Sequence, residues 1–532
     1  MPSQGPAPTL PAGHRQVIVA SSLGALFEWY DFYLYGVLAP VFAHRFFAGP
    51  DERAAWVAAL LAFAAGFVVR PVGALLFGRL GDLIGRKYTF LVTLVLMGAA
   101  TFGIGLLPDH ETIGLAAPVL LVLLRLLQGL AIGGEYGGVA TYVAEHASAH
   151  RRGFYTGWIQ TSASLGLLLA LLASVGLRGA LGDEAFAAWG WRLPFLASLL
   201  LLVVGIWIRI RLQESPLFLQ LKRSGGASRH PLAEAFGRLD NLRVVLLALF
   251  GLVAGQAVVW YTGQFQALFF LTRHLKVDEA TAALLLGAAL LLGAPLFVVF
   301  GAWSDRVGRK PIILAGCVLA AASWQPLFAA LASAANPALV QAQQRVTVRL
   351  FAVPGDCRLF ALDPVSPRGC ETAKRLLSER AVRYLRVDAV GDASIDIDGV
   401  RVATAGDEAA VARQLDAALD AAGYPRRADP ARIDVLRVVA ILWLLVVFVT
   451  MAYGPIAAML VEMFATRVRC SSVSLPYHIG NGWFGGLLPS AVLAVSAHSG
   501  QFASGLWVPV VVALASAAIG LVFLRETRGT AL

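Results

Sequence analysis

The apolar positions of this chain fall in long unbroken runs, and its polar positions fall mainly in short stretches between them. A run of about 20 apolar residues has the length that an α-helix needs to cross a bilayer. Twelve such runs predict twelve membrane-spanning helices. They lie near residues 17–42, 55–78, 88–107, 115–144, 154–177, 190–210, 244–271, 281–303, 311–333, 435–461, 472–496 and 505–524. Hydrophobic residues make up 58% of the chain and charged residues 14%, which excludes an ordinary soluble protein.

A charged ten-residue sequence motif occurs twice, at Gly78–Lys87 and at Gly301–Lys310, each time between two apolar runs. A hinge repeated at this distance predicts two related halves that rock against each other. Its aspartates can meet a helix N-terminus, its glycines allow a tight turn, and its basic residues can pair with carboxylates across the halves. We therefore expect a conformational latch. Its candidate residues are Gly78, Asp82, Gly85, Arg86, Lys87, Asp305, Gly308, Arg309 and Lys310.

Basic residues in the short loops predict the orientation. One set of alternate loops carries twenty Lys and Arg residues and the opposite set carries six, so the rich side, with both termini, should be cytoplasmic. The first apolar run is too long for a signal peptide, and we expect an uncleaved first span. The predicted units are a six-helix bundle, an inter-bundle loop, helices 7–9, an outer insert and helices 10–12. They cover residues 1–212, 213–242, 243–334, 335–433 and 434–532.

The insert at 335–433 is polar and nearly neutral, and its patterns predict a small α+β domain on the periplasmic side. Val346–Val353 alternates like a strand and Ser394–Thr404 resembles a hairpin. Cys370–Arg383 and Asp407–Ala422 have helical spacing.

The four cysteines divide between this insert and the spans. Cys357 and Cys370 lie in the insert, where an oxidising compartment would allow a disulfide; the alternative is two buried thiols. Cys317 and Cys470 fall in spans and are expected to be packing residues. Neither a CxxC sequence nor a metal-ligand spacing occurs, and we expect no metal and no cofactor.

Acidic residues inside the first span are the first candidates for chemistry, because ionisable groups are costly in a bilayer. Glu28, Asp31 and Tyr35 share one helix face. A carboxylate in a dry site can take and release a proton near neutral pH, so we assign proton coupling to Asp31 and Glu28. The alternative is a carboxylate held by an intramembrane arginine, either Arg70 or Arg125.

Basic and polar residues of the next spans add a second set of candidates. Arg70, followed by Pro71, should lie near mid-membrane, and Arg125 begins a polar stripe that continues to Glu135. An arginine stays charged, so it would bind an anionic substrate or alternate its pairing with a carboxylate, unless it forms a static ion pair. The proton-coupling set is completed by Arg125 and Glu135. The glycines around Glu135 sit mid-span with no preceding strand, which argues against a nucleotide site.

Uncharged polar residues in the other spans suit hydrogen bonding to a small solute, although each can equally bridge two helices. His478 can titrate near neutral pH. The candidate substrate-binding residues are Arg70, Tyr30, Gln128, Gln160, Tyr261, Gln264, Asn481 and His478.

Several of these motifs resemble the major facilitator superfamily, whose loop signature both hinges match. More narrowly, the chain is similar to its metabolite:proton symporters. The segments that carry this resemblance are Phe27–Gly36, Arg70–Gly73, Arg125–Gly129, Gly133–Glu135 and Glu214–Phe218. The resemblance implies an all-α polytopic fold of twelve helices in two six-helix bundles, and proton-driven uptake of organic acids or zwitterionic osmolytes. The insert departs from the family pattern, and so does Arg525-Glu526-Thr527 at the end of span twelve.

We therefore expect a bacterial inner-membrane symporter that imports a small organic acid. A zwitterion carrier is the alternative within transport, since the aromatic-rich first span could hold an ammonium group. A transporter-like nutrient sensor is a third possibility, and an enzyme is the least favoured because no nucleophile–base set occurs. The basic residues form no stripe interleaved with aromatics, so we expect no nucleic-acid partner. The expected partners are substrate, protons and lipid, around a monomer.

Overall fold

The computed structural model describes residues 12–47, 52–211, 213–358 and 369–532. The N-terminus, predicted to be cytoplasmic, lies outside this part. Within it, the apolar runs form twelve bundle helices. These are α1 (Ala12–Val37), α2 (Glu52–Val68 and Arg70–Leu83), α3 (Arg86–Leu106), α4 (Ala116–His146), α5 (Arg152–Leu181), α6 (Arg192–Ile210), α7 (Leu239–His274), α8 (Glu279–Val307), α9 (Arg309–Ala335), α10 (Val435–Tyr453 and Ile456–Glu462), α11 (Arg469–Ile479, Gly480–Gly485 and Leu488–Ser499) and α12 (Trp507–Phe523).

Ten helices in the described ranges are long and apolar enough to cross a membrane by length and composition. The other two bundle helices, α1 and α11, fall short for identifiable reasons. Glu28 and Asp31 lower the hydropathy of α1, and α11 is broken into three pieces. The same polar residues that make α1 a functional candidate therefore weaken its hydropathy signal.

The two halves meet along equivalent helix pairs. α2 of the first half packs along α11 of the second, and α8 of the second half packs along α5 of the first. At one end of the bundle, the turns α2–α3 and α8–α9 are closed by Gly85 and Gly308, whose φ angles are +120° and +112°. Only glycine adopts such angles readily, so the repeated hinge is a repeated backbone turn. We call this the latch end, and the opposite end the insert end.

The insert contains a small sheet with helices, which confirms the predicted α+β fold, and this sheet has four strands. Its strands are β1 (Val348–Ala352), β2 (Leu385–Asp388), β3 (Ser394–Ile397) and β4 (Val400–Ala403). The strand order is β2-β1-β3-β4; β2 runs parallel to β1, while β3 is antiparallel to both β1 and β4. Its helices are Pro337–Arg345, Cys370–Glu379 and Glu408–Ala421.

Two details of the insert differ from the sequence prediction. The helix predicted to reach Arg383 ends at Glu379, because Ala381 takes a positive φ of 56° that turns the chain into β2. Strand β2 is not predicted, because the alternation of Leu385–Asp388 covers only four residues. The structure joins Cys357 and Cys370 as a disulfide with Cα atoms 5.5 Å apart, and Cys317 and Cys470 are buried free thiols.

Hydrogen bonds dock the insert on the second half. The Ala428 nitrogen donates to the carbonyl of Lys276 (3.0 Å) in the α7–α8 turn. The Tyr384 nitrogen donates to the carbonyl of Gly500 (3.1 Å), just after α11. The insert is thus fixed to α7 and α11 as well as to α9 and α10, between which it is spliced.

Candidate functional site

A buried arginine forms ion pairs with two acidic residues of the first half. In the sequence, this arginine counts among the loop residues. Arg209 lies on α6, and its Nη2 atom is 2.9 Å from Glu28 Oε1 and 2.8 Å from Glu135 Oε1. The arginine beside Glu28 is therefore Arg209 of α6, and neither of the two arginines named in the alternative, Arg70 and Arg125, takes that place. A single nitrogen serves both carboxylates, so the three groups carry one negative charge in excess when all are ionised.

These acids border a small pocket in the first half. Its lining consists of Ala25, Glu28, Trp29, Ile132, Glu135, Tyr136, Val139 and Ile159. Glu135 turns away from Arg125 around α4, which brings it to α1 and α6. An acidic wall beside apolar and aromatic groups suits a proton site better than a site for an anion.

Asp31 lies one turn from Glu28 but belongs to a different network. Its side chain is buried, and its Oδ1 atom has no hydrogen-bond partner among the described residues. The Thr101 hydroxyl lies against the carboxyl group and also accepts a bond from Gln128 Nε2 (2.7 Å). Gln128 Oε1 in turn accepts a bond from Arg125 Nη1 (2.7 Å). Asp31 and Arg125 are thus linked through Thr101 and Gln128.

Arg70 has no hydrogen-bonding partner within the described ranges. It is 0% exposed, and its three nitrogens lack any acceptor there. Its guanidinium lies over the rings of Phe32 and Phe67, each at 4.3 Å. The break in α2 just before Arg70, with Pro71 directly after it, places the side chain in the centre of the bundle. A cation buried this way is costly unless an anion joins it.

His478 of α11 faces the same region from the second half. It is 0% exposed, and neither ring nitrogen has a hydrogen-bond partner in the part of the chain that the structure describes. His478 and Tyr261 of α7 both lie within electrostatic reach of Arg70. Buried polar groups from α2, α7 and α11 therefore converge between the halves.

The other candidate substrate residues mostly join helices to each other. Gln264 donates to Ser164 across the halves, and Gln160 donates to Tyr136 within the first half. Asn481 pairs with Gln256 inside the second half. The distances are 2.8 Å for Gln264–Ser164, 2.7 Å for Gln160–Tyr136 and 3.2 Å for Asn481–Gln256. Tyr30 lies apart from this group, with its hydroxyl 3.5 Å from the Pro194 carbonyl of α6.

The aspartates of the repeat join opposite halves at the latch end. Each accepts two backbone N–H bonds from the first turn of a helix in the other half, where the helix dipole favours a negative charge. The donors and distances are Cys470 (3.1 Å) and Ser471 (2.9 Å) for Asp82, and Gly153 (2.9 Å) and Phe154 (2.8 Å) for Asp305. Gly78 permits the close approach, since a Cβ there would lie 2.9 Å from the Ser471 Cα.

The repeat arginines complete the latch with two buried glutamates that the sequence prediction missed. Glu145, near the end of α4, pairs with one arginine from each half, and Glu462, at the end of α10, does the same. The pairs are Glu145 with Arg86 (3.4 Å) and Arg469 (2.8 Å), and Glu462 with Arg309 (3.2 Å) and Arg152 (3.4 Å). These four arginines count as loop charges in the sequence, yet all are buried.

A third pair of equivalent residues caps the helices that follow the turns. Glu214 accepts from the backbone nitrogens of Arg86 and Lys87, and Glu526 accepts from those of Arg309 and Lys310. The distances are 3.2 and 3.1 Å for Glu214, and 2.9 and 3.0 Å for Glu526. The segment Arg525-Glu526-Thr527 therefore performs in the second half what Glu214-Ser215 performs in the first. Comparing Glu214-Ser215 with Glu526-Thr527 would have revealed the equivalence from sequence.

Comparisons with known proteins agree with this architecture. The family model "Sugar (and other) transporter" matches residues 17–245. The chain is 37% identical to the alpha-ketoglutarate permease of Escherichia coli over 322 residues, which are 60% of this chain and 72% of that one. It is 36% identical over 318 residues to the glycine betaine/proline/ectoine/pipecolic acid transporter OusA of Dickeya dadantii. That match covers 57% of this chain, and this chain spans 62% of the relative's length.

Among solved structures, the proton:xylose symporter XylE has the same fold. The TM-score is 0.61 at 15% identity, with 98% of each chain covered. Two six-helix bundles latched by a repeated hinge define a class of membrane transporters. The chain belongs to the major facilitator superfamily, as the sequence predicts, and its relatives are consistent with the metabolite:proton symporters within it.

Proposed function

We propose that the protein imports a small carboxylate-bearing metabolite together with protons, by alternating access across the bacterial inner membrane. The observation that carries the proposal is the buried Arg70, which has no acceptor in the described structure and lies between the two halves near His478 and Tyr261. A substrate carboxylate would supply the missing anion. The permease for alpha-ketoglutarate among the relatives supports this substrate class.

Proton coupling is assigned to the two acidic networks of α1. Because Arg209 Nη2 serves both Glu28 and Glu135, neutralising one carboxylate would leave the cation to the other. Asp31 has an unused oxygen and communicates with Arg125 through Thr101 and Gln128. Protonation of Asp31 would therefore change the electrostatics around Arg125 and Arg70, where substrate binds.

The latch end would face the cytoplasm, with the insert on the outer side and both termini inside. This orientation rests on the excess of basic residues in the loops of that end. The engaged latch would then close the inner side, and its release would open the site to the cytoplasm. The chain would act as a monomer, since each bundle pair contains a complete site.

A second candidate function is uptake of a zwitterionic osmolyte, favoured by an aromatic cluster next to the central site. Tyr33 stacks on Trp260 at 5.8 Å and packs against Phe265 at 5.4 Å. Such faces attract a quaternary ammonium group, while Arg70 would take the carboxylate of the same molecule. OusA, which is named for betaine and proline transport, is among the relatives.

The test is uptake by the purified protein in lipid vesicles with an imposed inward proton gradient. Labelled alpha-ketoglutarate, shikimate, proline and glycine betaine form the panel. We expect a carboxylate to accumulate with the gradient and a protonophore to abolish the accumulation. Binding without accumulation would instead indicate a sensor and overturn the proposal.

The Asp31→Asn variant tests the coupling assignment separately. We expect it to lose gradient-driven accumulation and keep exchange of labelled for unlabelled substrate, because exchange needs no net proton movement. Asp183→Asn, an exposed carboxylate between α5 and α6, is the matched control. Full accumulation by Asp31→Asn would refute the role of Asp31.

A further inference from the structure

The insert places a disulfide beside a β-α-β unit. A parallel β1–β2 pair is connected through the helix Cys370–Glu379, and the hairpin β3–β4 continues the sheet antiparallel on the β1 side. Thioredoxin-like domains arrange their strands in this way and carry reactive cysteines at the start of the helix after β1. Cys370 is the first residue of that helix.

The disulfide partner comes from the segment that follows β1. Cys357 lies five residues beyond the end of β1, and the two cysteines are 13 residues apart in place of a C-x-x-C spacing. Cys357 is 6% exposed and Cys370 is 0% exposed. Cys357 is thus the less deeply buried of the two cysteines.

Polar contacts hold the two cysteine segments together independently of the disulfide. Glu371 Oε1 accepts a bond from the backbone nitrogen of Arg358 (2.7 Å), the residue after Cys357. Lys374 Nζ bonds both Glu371 carboxylate oxygens (3.0 Å) and also the Arg358 carbonyl. The two sulfurs would therefore stay neighbours after reduction, which makes re-formation of the bond intramolecular and fast.

The fold of the insert does not depend on this bond for its core. Leu350 of β1, Ile395 of β3, Leu376 of the first sheet-covering helix and Leu415 of the second are all fully buried between sheet and helices. A core of this kind allows the disulfide to open without unfolding the domain.

We propose that Cys357 and Cys370 form a reversible thiol–disulfide couple that exchanges with a dithiol. A thiolate of the dithiol attacks Cys357 Sγ, forming a mixed disulfide and releasing the Cys370 sulfur as thiolate. The helix N-terminus stabilises that thiolate, which makes Cys370 the better leaving group. The second thiol then attacks the mixed disulfide, so the dithiol leaves oxidised to its disulfide and the insert keeps two thiols after proton uptake.

The experiment uses the full chain in detergent, equilibrated with mixtures of reduced and oxidised dithiothreitol and then alkylated. Mass spectrometry of the peptides that carry Cys357 and Cys370 reads the extent of reduction, and the buried Cys317 and Cys470 serve as internal controls. We expect both insert cysteines to be alkylated together and the bond to return fully on oxidation, with the protein folded throughout. A disulfide that resists reduction until urea unfolds the protein would overturn the proposal.

Two further arms sharpen the result. Lys374→Met removes one of the two side-chain bonds to Arg358, the one to its carbonyl, and should slow re-oxidation; an unchanged rate would refute the role of this bond. Reduced thioredoxin and dithiothreitol are compared at equal thiol concentration. Faster reduction by thioredoxin supports a protein dithiol as the source, and faster reduction by dithiothreitol supports a small one.

Discussion

Asp82 and Asp305 occupy equivalent positions in the two halves, and each binds the N-terminus of a helix in the other half through a pair of backbone N–H groups. The exchange is reciprocal, so neither half can leave the latched arrangement without breaking both sets of bonds. Glu145 and Glu462 repeat the same reciprocity with arginines.

The first prediction concerns Asp82, whose removal should expose the buried thiol of Cys470. In Asp82→Asn we expect alkylation of Cys470 to rise at least about tenfold. Hydrogen bonds to a charged group contribute about 1.5–3 kcal/mol each, and about 1.4 kcal/mol corresponds to a factor of ten. The rate is measured with a membrane-permeable maleimide. Cys317, buried within the second half, is the internal control and should keep its rate.

Asp305→Asn offers a companion measurement on the same thiol. Because both aspartates close the same end, Cys470 should become more reactive although Asp305 does not contact it. If Asp82→Asn and Asp305→Asn both left Cys470 protected, the two aspartates would not control closure of this end.

The second prediction concerns Glu462, which balances Arg309 and Arg152 in a buried site. Glu462→Gln leaves two buried guanidinium groups with less compensation, and breaking a buried ion pair costs about 3–5 kcal/mol. We expect a clear drop in the thermal unfolding temperature of the purified protein. Glu145→Gln should produce a similar drop, whereas Glu408→Gln, in a half-exposed pair of the insert, should change little. Equal effects of all three variants would contradict the special role of the latch.

The third prediction concerns Arg70 as the substrate anchor. Arg70→Gln should weaken substrate binding at least about tenfold, since a charge-assisted bond of about 1.5–3 kcal/mol is lost. Binding is measured by calorimetry or by scintillation proximity with the substrate found in the uptake panel. The control is Arg79→Gln, an exposed arginine on the same helix. Unchanged affinity in Arg70→Gln would place the substrate elsewhere.

The fourth prediction concerns pH and the docking of the insert. Burial and the neighbouring Arg273 lower the pKa of Lys276 from 10.5 to about 8. Between about pH 8 and pH 10.5 the unfolded chain would hold a proton that the folded chain has released, so stability rises with pH across this window. Thermal unfolding of the wild type and of Lys276→Met is followed from pH 7 to pH 10. The unfolding temperature of the wild type, relative to that of Lys276→Met, should rise as pH rises. A difference in unfolding temperature that stays constant with pH would contradict the lowered pKa.

The repeat is the reason why so much of the latch can be predicted from sequence. The repeated motif identifies Asp82 and Asp305 as candidate latch residues before any contact is known. Glu145 and Glu462 are not predicted as latch residues, because a glutamate at the end of a span has the same sequence pattern as any charge at the membrane interface. Their partners come from helices more than fifty residues away, and only tertiary packing brings these together.

For the site residues too, spacing within one helix can be predicted from the sequence, whereas contacts between helices cannot. Spacing on one helix face places Glu28 and Asp31 together in the sequence, but it cannot tell that α6 lies beside Glu28 and α3 beside Asp31. Arg209 is not predicted as a site residue because it lies at the end of a predicted span. There it counts among the basic loop residues, which are expected to be in water. In the insert, alternation finds β1 and the β3–β4 hairpin, while β2 is too short for a pattern and is defined only by its pairing with β1.

In the described part of the chain, the insert is attached to the second half by both of its chain ends and by bonds to Lys276 and Gly500. Transporters of this size offer electron microscopy little mass outside the detergent belt, and their two halves look nearly alike. A compact sheet-and-helix body fixed to the second half breaks that pseudosymmetry. It gives the molecule its own alignment marker, with no need for an added antibody fragment.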